Sequence, residues 1–161
     1  MNENPRIGFY GINPVEEWAS IIFVRVMRGN DCVGYVLISE PHRSTSLYKM
    51  PGGKKEGGES PLQTAGRELE GETNIRIDNL PRLQYIDREW RELPREHWKC
   101  YFQVDITETE RDWMSNHHPG NEGEDPKFFT PGELQNAIAR GEILEPHLKV
   151  MGRYKLLERR R

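Results

Sequence analysis

The stretch Ser60-Pro61-Leu62-Gln63 fixes the start of a helix more firmly than any other part of the chain. Serine is a strong N-cap, proline is preorganised for the first helical position, and a glutamine three residues after the cap completes a capping box. From there Leu62, Ala65, Gly66 and Leu69 fall on one side of the helix. Glu68 and Glu72 stand four apart, about 40° from one another and beside that apolar side, whereas Glu70 points roughly 160° away from Glu68. Like charges one turn apart repel. Just upstream, "MPGGKKEGG" is a glycine-rich turn whose carbonyls can face inward. Carboxylates on one ridge beside such carbonyls make a hard-oxygen environment suited to Mg²⁺ or Mn²⁺. The plainer alternative is an exposed acidic helix face.

A chain of 161 residues, 35% of them hydrophobic, is long enough for one domain with its own core, taken as 1–161. "WASIIFVRVMR" and "CVGYVLISE", joined across "GND", read as a hairpin of β-branched and apolar strands. After the glutamate-rich helix, short strands are expected near "IRIDNL" and "LQYID" and a strong one in "HWKCYFQVDI". "SNHHPGNEGEDP" has loop composition, "FFTPGELQNAIARGEI" a strand end, a Pro-Gly turn and a helix, and "PHLKVMGRYKLLERR" a final helix. Strands on both sides of an embedded helix, with helices last, predict an α+β arrangement in which a mixed sheet is covered on both faces.

Basic and acidic residues nearly cancel, at a formal net charge of −3, which gives no footprint for nucleic-acid or anionic-membrane binding. No apolar run approaches the roughly 18 residues of a membrane span, and "MNENPR" lacks the pattern of a secretory signal, so a soluble cytoplasmic protein is expected. Cys32 and Cys100 then read as sheet or core thiols.

The segment from Gly53 to Ile75 resembles the signature of the Nudix hydrolases, G-x5-E-x7-R-E-U-x-E-E-x-G-U, with U a bulky aliphatic. Gly53, Glu59, Arg67, Glu68, Leu69, Glu72 and Ile75 fall in register, seven of nine defined positions, and "LYKMPGGKKEGGES" is similar to the family's entry to the box. "GGKKEGG" does not fit a P-loop, since no Lys-Ser or Lys-Thr ends it. Asn74 stands in place of the family's glycine and should still close the helix in a left-handed cap. Gly71 stands in place of the first glutamate of the E-E pair, which removes one carboxylate and puts metal number and affinity in question.

The resemblance implies an α/β/α sandwich with a mixed central sheet and a hydrolase acting on the diphosphate linkage of a nucleoside diphosphate joined to another moiety. It implies Mg²⁺ or Mn²⁺ held by Glu68, Glu72 and the carbonyl of Gly52. Glu59 and Arg67 would brace the loop and helix. "PGNEGEDPKFFTPGEL" is similar to the family segment whose loop carboxylate supplies a further ligand or the base; Glu122, six before Phe128, is that candidate and Glu124 the fallback. Glu68 or Glu122 would orient or deprotonate water.

His117 and His118 lack partners at zinc-ligand spacing. Trp90, Trp98, Tyr48, Phe128 and Phe129 include candidates to stack on a base, though core packing suits most of them better. Arg43, Arg88 and Arg91 could grip phosphates, with none preferred. Pro94 and Tyr85 stand near, without matching, the positions that relatives use as substrate markers. The partner implied is a small nucleotide, a homodimer is compatible with the chain, and the rival reading is a non-catalytic Nudix-fold binding or regulatory domain.

Overall fold

A computed structural model describes residues 7–41, 47–118 and 123–158. Its frame is β1 (Trp18–Arg28), a strand whose first nine residues are all buried. Such a run requires cover on both faces and a partner along both edges. Along one edge β5 (His97–Thr107) runs parallel to it, from Trp18 opposite Trp98 to Met27 opposite Thr107. Along the other edge β2 (Asp31–Ser39) pairs antiparallel with its later half and β3 (Gly52–Lys54) with Ala19 to Ile21. β4 (Gln84–Arg91) adds to β5 and β6 (Asp125–Phe129) to β2, both antiparallel, giving the order β4-β5-β1-β2-β6.

Alternation along β1 divides the core in two. Trp18, Ile22, Val24 and Val26 join Cys100, Phe102, Val104 and Ile106 of β5 under α1 (Pro61–Thr73), which contributes Leu62, Ala65 and Leu69. Ile21 and Phe23 join Tyr35, Leu37 and Tyr101 under α3 (Pro131–Ala139) and α4 (Glu145–Arg153), which contribute Leu134, Ala137, Val150 and Met151. The result is the expected α/β/α sandwich on a mixed sheet. Leu69 is fully buried, so Leu69→Ala would cost about 2–5 kcal/mol.

The hairpin, the strands around "LQYID" and "HWKCYFQVDI", and the capped helix form as expected. Three local expectations change. "IRIDNL" forms no strand: Ile75 and Ile77 are buried, but the segment runs irregularly into a 3₁₀ turn at Leu80–Arg82, with Ile75 N–H bonded to the Thr73 hydroxyl. Pro131 and Gly132 are the first turn of α3, because Thr130 and Glu133 form a capping box around them. The last helix stops at Arg153, where Lys155 turns left-handed (φ 54°) and a 3₁₀ turn at Leu156–Glu158 follows. A short α2 (Glu108–Asp112) follows β5; its capping box, Thr107 with Glu110, is present in the sequence.

Cys32 and Cys100 are free thiols, the latter buried. Among the described residues no helix is long and apolar enough to cross a membrane.

Candidate functional site

Two glycines set the site because backbone must approach closely. A Cβ on Gly52 would lie 2.3 Å from the Ser20 carbonyl, and one on Gly53 would lie 2.4 Å from Oε2 of Glu68. Gly53 therefore lets β3 press against the α1 ridge that carries Glu68. One turn further along that ridge, Glu72 is buried, and the Gly52 N–H donates to its Oε1 at 2.9 Å. The helix is held at both ends. Ser60 and Gln63 exchange capping-box hydrogen bonds, and Asn74 closes the last turn in the left-handed region (φ 68°), its side chain donating to the Trp113 carbonyl.

Arg67 ties the loop to the helix. Its Nε and Nη2 reach the two oxygens of Glu59 at 2.5 and 3.1 Å, Nη2 also donates to the Lys54 carbonyl, and Nη1 donates to Glu68 at 2.9 Å. Burial alone would raise the Glu59 pKa; the bonds from Arg67, the Glu56 N–H and Thr64 outweigh it and leave the carboxyl below its usual range. Glu59 is thus an anion fixed under a cation, and Glu68 is presented by the same guanidinium.

Glu72 is pushed the other way, up to about 8. Burial is the main cause, Glu68 and Glu124 add to it, and the Gly52 N–H and Lys49 oppose it. Glu124 is itself buried, immediately before β6. Carboxylates from α1 and from the β6 approach therefore act on one another across some fifty residues of sequence, a repulsion that a hard divalent cation would relieve. Beside them Glu40, also buried, pairs with Lys49 at 2.9 Å. Among the described residues, no three histidine, cysteine or acidic side chains converge closely enough to grip a metal as they stand.

Glu122 and Arg43 lie outside the described residues. Glu70 is exposed, and Gly71 is exposed with nothing within 4 Å of a Cβ built on it. His118 is exposed, and His117 Nε2–H donates to the Glu124 carbonyl, so this histidine holds the loop that carries the acid. Trp90 and Trp98 pack edge to face, Tyr48 packs on Phe129, and Phe128 packs against the α1-side core. Arg88 donates to the Tyr10 carbonyl and covers Trp98, while Arg91 pairs with Glu89. The pair of Glu40 and Lys49 escaped sequence reasoning, since "SEPHRSTSLYK" shows no spacing that would join them.

A family model described as NUDIX domain matches residues 16–149. No match was found among curated proteins. Solved structures share the fold at low identity. The Trypanosoma brucei MERS1 protein in its apo form aligns at TM-score 0.53 and 12% identity, over 76% of this chain and 60% of that one. The C-terminal domain of mouse MUTYH, solved in complex with human PCNA, aligns at 0.56 and 15%, over 87% and 88%. A MutT/nudix family protein from Enterococcus faecalis aligns at 0.55 and 15%, over 71% and 44%, so this chain spans less than half of that protein.

Proposed function

Since the chain belongs to the NUDIX domain family, we propose that it is a Mg²⁺- or Mn²⁺-dependent hydrolase cleaving the diphosphate linkage of a nucleoside diphosphate joined to another moiety. The observation that carries this reading is the buried Glu72 carboxyl, held by the Gly52 N–H and crowded by Glu68 and Glu124. Glu68, Glu72 and the Gly52 carbonyl would hold the cation, joined by a carboxylate from the loop before β6. Glu124 has the stronger claim on that last place, because its charge already acts on Glu72; Glu122 is the second candidate. When bound, the cation neutralises phosphate oxygens and acidifies the attacking water.

The chain's own residues do the rest. Arg67 fixes the rotamer of Glu68, which orients the water and accepts its proton. Glu59 keeps Arg67 in place, and Gly53 leaves Glu68 the room to stand at the loop. The same reading takes residues 1–161 as a single Nudix domain working in the cytoplasm on a small nucleotide.

Phosphate release from a nucleotide panel with Mg²⁺ and with Mn²⁺ tests the proposal, with turnover of at least one substrate expected. Glu124→Gln and Glu122→Gln separate the two loop candidates: the ligand's variant loses turnover and the other keeps it. Gly71, which leaves this helix one carboxylate short of the family pattern, favours the rival reading of a non-catalytic nucleotide-binding domain. Nucleotide binding with no turnover of any panel member under either metal would establish that rival.

A further inference from the structure

On the α4 side of the sheet, a cleft opens whose polar side chains include no carboxylate. Lys99 and Tyr101 of β5, Arg91 at the end of β4 and His147 of α4 line it, over a floor that includes Ile21 and Val150. Lys99 is half-buried, and its ammonium has no hydrogen bond or ion pair among the described residues. Burial and the neighbouring charges of Arg91, Lys49 and Lys54 all lower its pKa, and no acid offsets them. The carboxylate that faces Lys99 across the strands, Glu89, is engaged elsewhere. It accepts from Arg91 and from the hydroxyls of Tyr101 and Tyr154, and it pairs with Arg153.

His147 completes the set. The Met50 N–H donates to its Nδ1 at 3.0 Å, which leaves the ring proton on Nε2 as a donor. Burial pushes the imidazole pKa down to about 3, so the ring stays neutral and still donates. With Arg91 held by Glu89, the Lys99 ammonium and the His147 N–H are the donors over the apolar floor that an anion would complete.

Met50 ties this cleft to the acidic cluster, since Gly52, two residues on, donates to Glu72. We propose that the cleft is a phosphate subsite, in which Lys99, Arg91 and the Nε2–H of His147 hold a phosphoryl group other than the pair being cleaved. As a substrate subsite it rests on the hydrolase reading above, and the preferred substrates would be nucleotides that carry such an additional phosphate. A free phosphate ion offers the same chemistry.

The test uses the full chain in EDTA, with inorganic phosphate titrated by calorimetry, so that no divalent cation contributes. Binding by the parent is expected, weakened about tenfold or more in Lys99→Met and in Arg91→Gln and kept in Lys99→Arg. Lys99→Met removes a charge that has no partner, so its thermal midpoint should equal or exceed the parent's, which separates a lost ligand from a lost fold. The nucleotide panel then identifies the source of the phosphate. A substrate phosphoryl group requires KM to rise about tenfold in Lys99→Met, with kcat within about threefold, only for nucleotides bearing the additional phosphate. Unchanged KM throughout, with phosphate binding still lost, assigns the site to free phosphate. No binding by the parent, or equal binding by the parent, Lys99→Met and Arg91→Gln, overturns the proposal whatever the panel shows. Phosphate binding without any turnover overturns the hydrolase and keeps the site.

Discussion

On the α1 side of the sheet Glu68 and Glu124 both act on Glu72 around Gly52 and Gly53, while on the α4 side Lys99 and Arg91 gather along the same strands. The two groups are separated by strand alternation and little else. Gly53 faces Glu68, and the next residue, Lys54, points to the opposite face. Cys100 is buried under α1, and the preceding Lys99 faces the cleft. Ala19 lies between the two lysines, opposite Lys54 on one edge of β1 and Lys99 on the other. A single sheet end can thus present acid to one face and base to the other without bringing them into contact. On the proposed reading the acids would gain from a cation and the bases from a phosphate, and a metal-bound nucleotide would supply both.

The contrast can be broken most severely on the acidic side. Glu68→Gln keeps the shape and removes charge and basicity, so turnover should fall about a hundredfold or more while far-UV circular dichroism stays unchanged. Turnover within about threefold of the parent would remove Glu68 from the chemistry. Gly53→Ala should leave the basic cleft intact and displace Glu68, because the new methyl would lie 2.4 Å from its carboxylate. A fall in kcat of about tenfold is expected, with phosphate binding in EDTA unaltered.

On the basic side, pH is the lever. The His147 pKa falls from its ordinary 6.5 to about 3 in the fold. Below pH 6.5 the unfolded chain takes up a proton that the native ring refuses, so its contribution to stability is lost progressively as pH falls from about 6.5 towards 3. The slope from this group approaches 1.4 kcal/mol per pH unit. Urea unfolding at stepped pH should show a shallower decline for His147→Gln; parallel profiles would mean that the ring is not held neutral.

The smallest change should come from sharpening the acidic side. Gly71→Glu adds a carboxylate where nothing lies within 4 Å, next to the Glu68 and Glu72 ridge, and should tighten Mn²⁺ binding by a few-fold in calorimetry. It should also firm the helix by up to about 1 kcal/mol, read as a higher thermal midpoint.

The acidic side was largely legible in the sequence and the basic side was not. Helix α1 announces itself because its cap, proline, apolar stripe and glutamates are all local. Glu124 stands in the sequence only as a fallback, since its approach to Glu72 depends on how β6 joins β2. Nothing local in the sequence prefers Arg91 over Arg43 and Arg88 or marks Lys99, because their cleft is assembled from β4, β5, α4 and the residue before Pro51. Nothing in "HWKCYFQV" distinguishes a lysine facing a cleft from one facing solvent. The mistaken strand at "IRIDNL" has a similar cause: alternating Ile75 and Ile77 are buried by packing under α1, and no neighbouring strand offers them a ladder.

The parallel ladder of β1 and β5 joins residues 80 apart in sequence, and α1 is made entirely within that interval. A helix of 13 residues is marginal in isolation, and the core cluster that buries Leu62, Ala65 and Leu69 also includes Cys100, Phe102 and Val104 of β5. During synthesis the glutamate helix therefore leaves the ribosome roughly one to seven seconds before the strand that joins its core cluster, at about 5–20 residues per second. Glu124, whose charge adds to the rise in the Glu72 pKa, follows later still. The surroundings of this ridge are therefore complete only after β5 and the residues before β6 have docked.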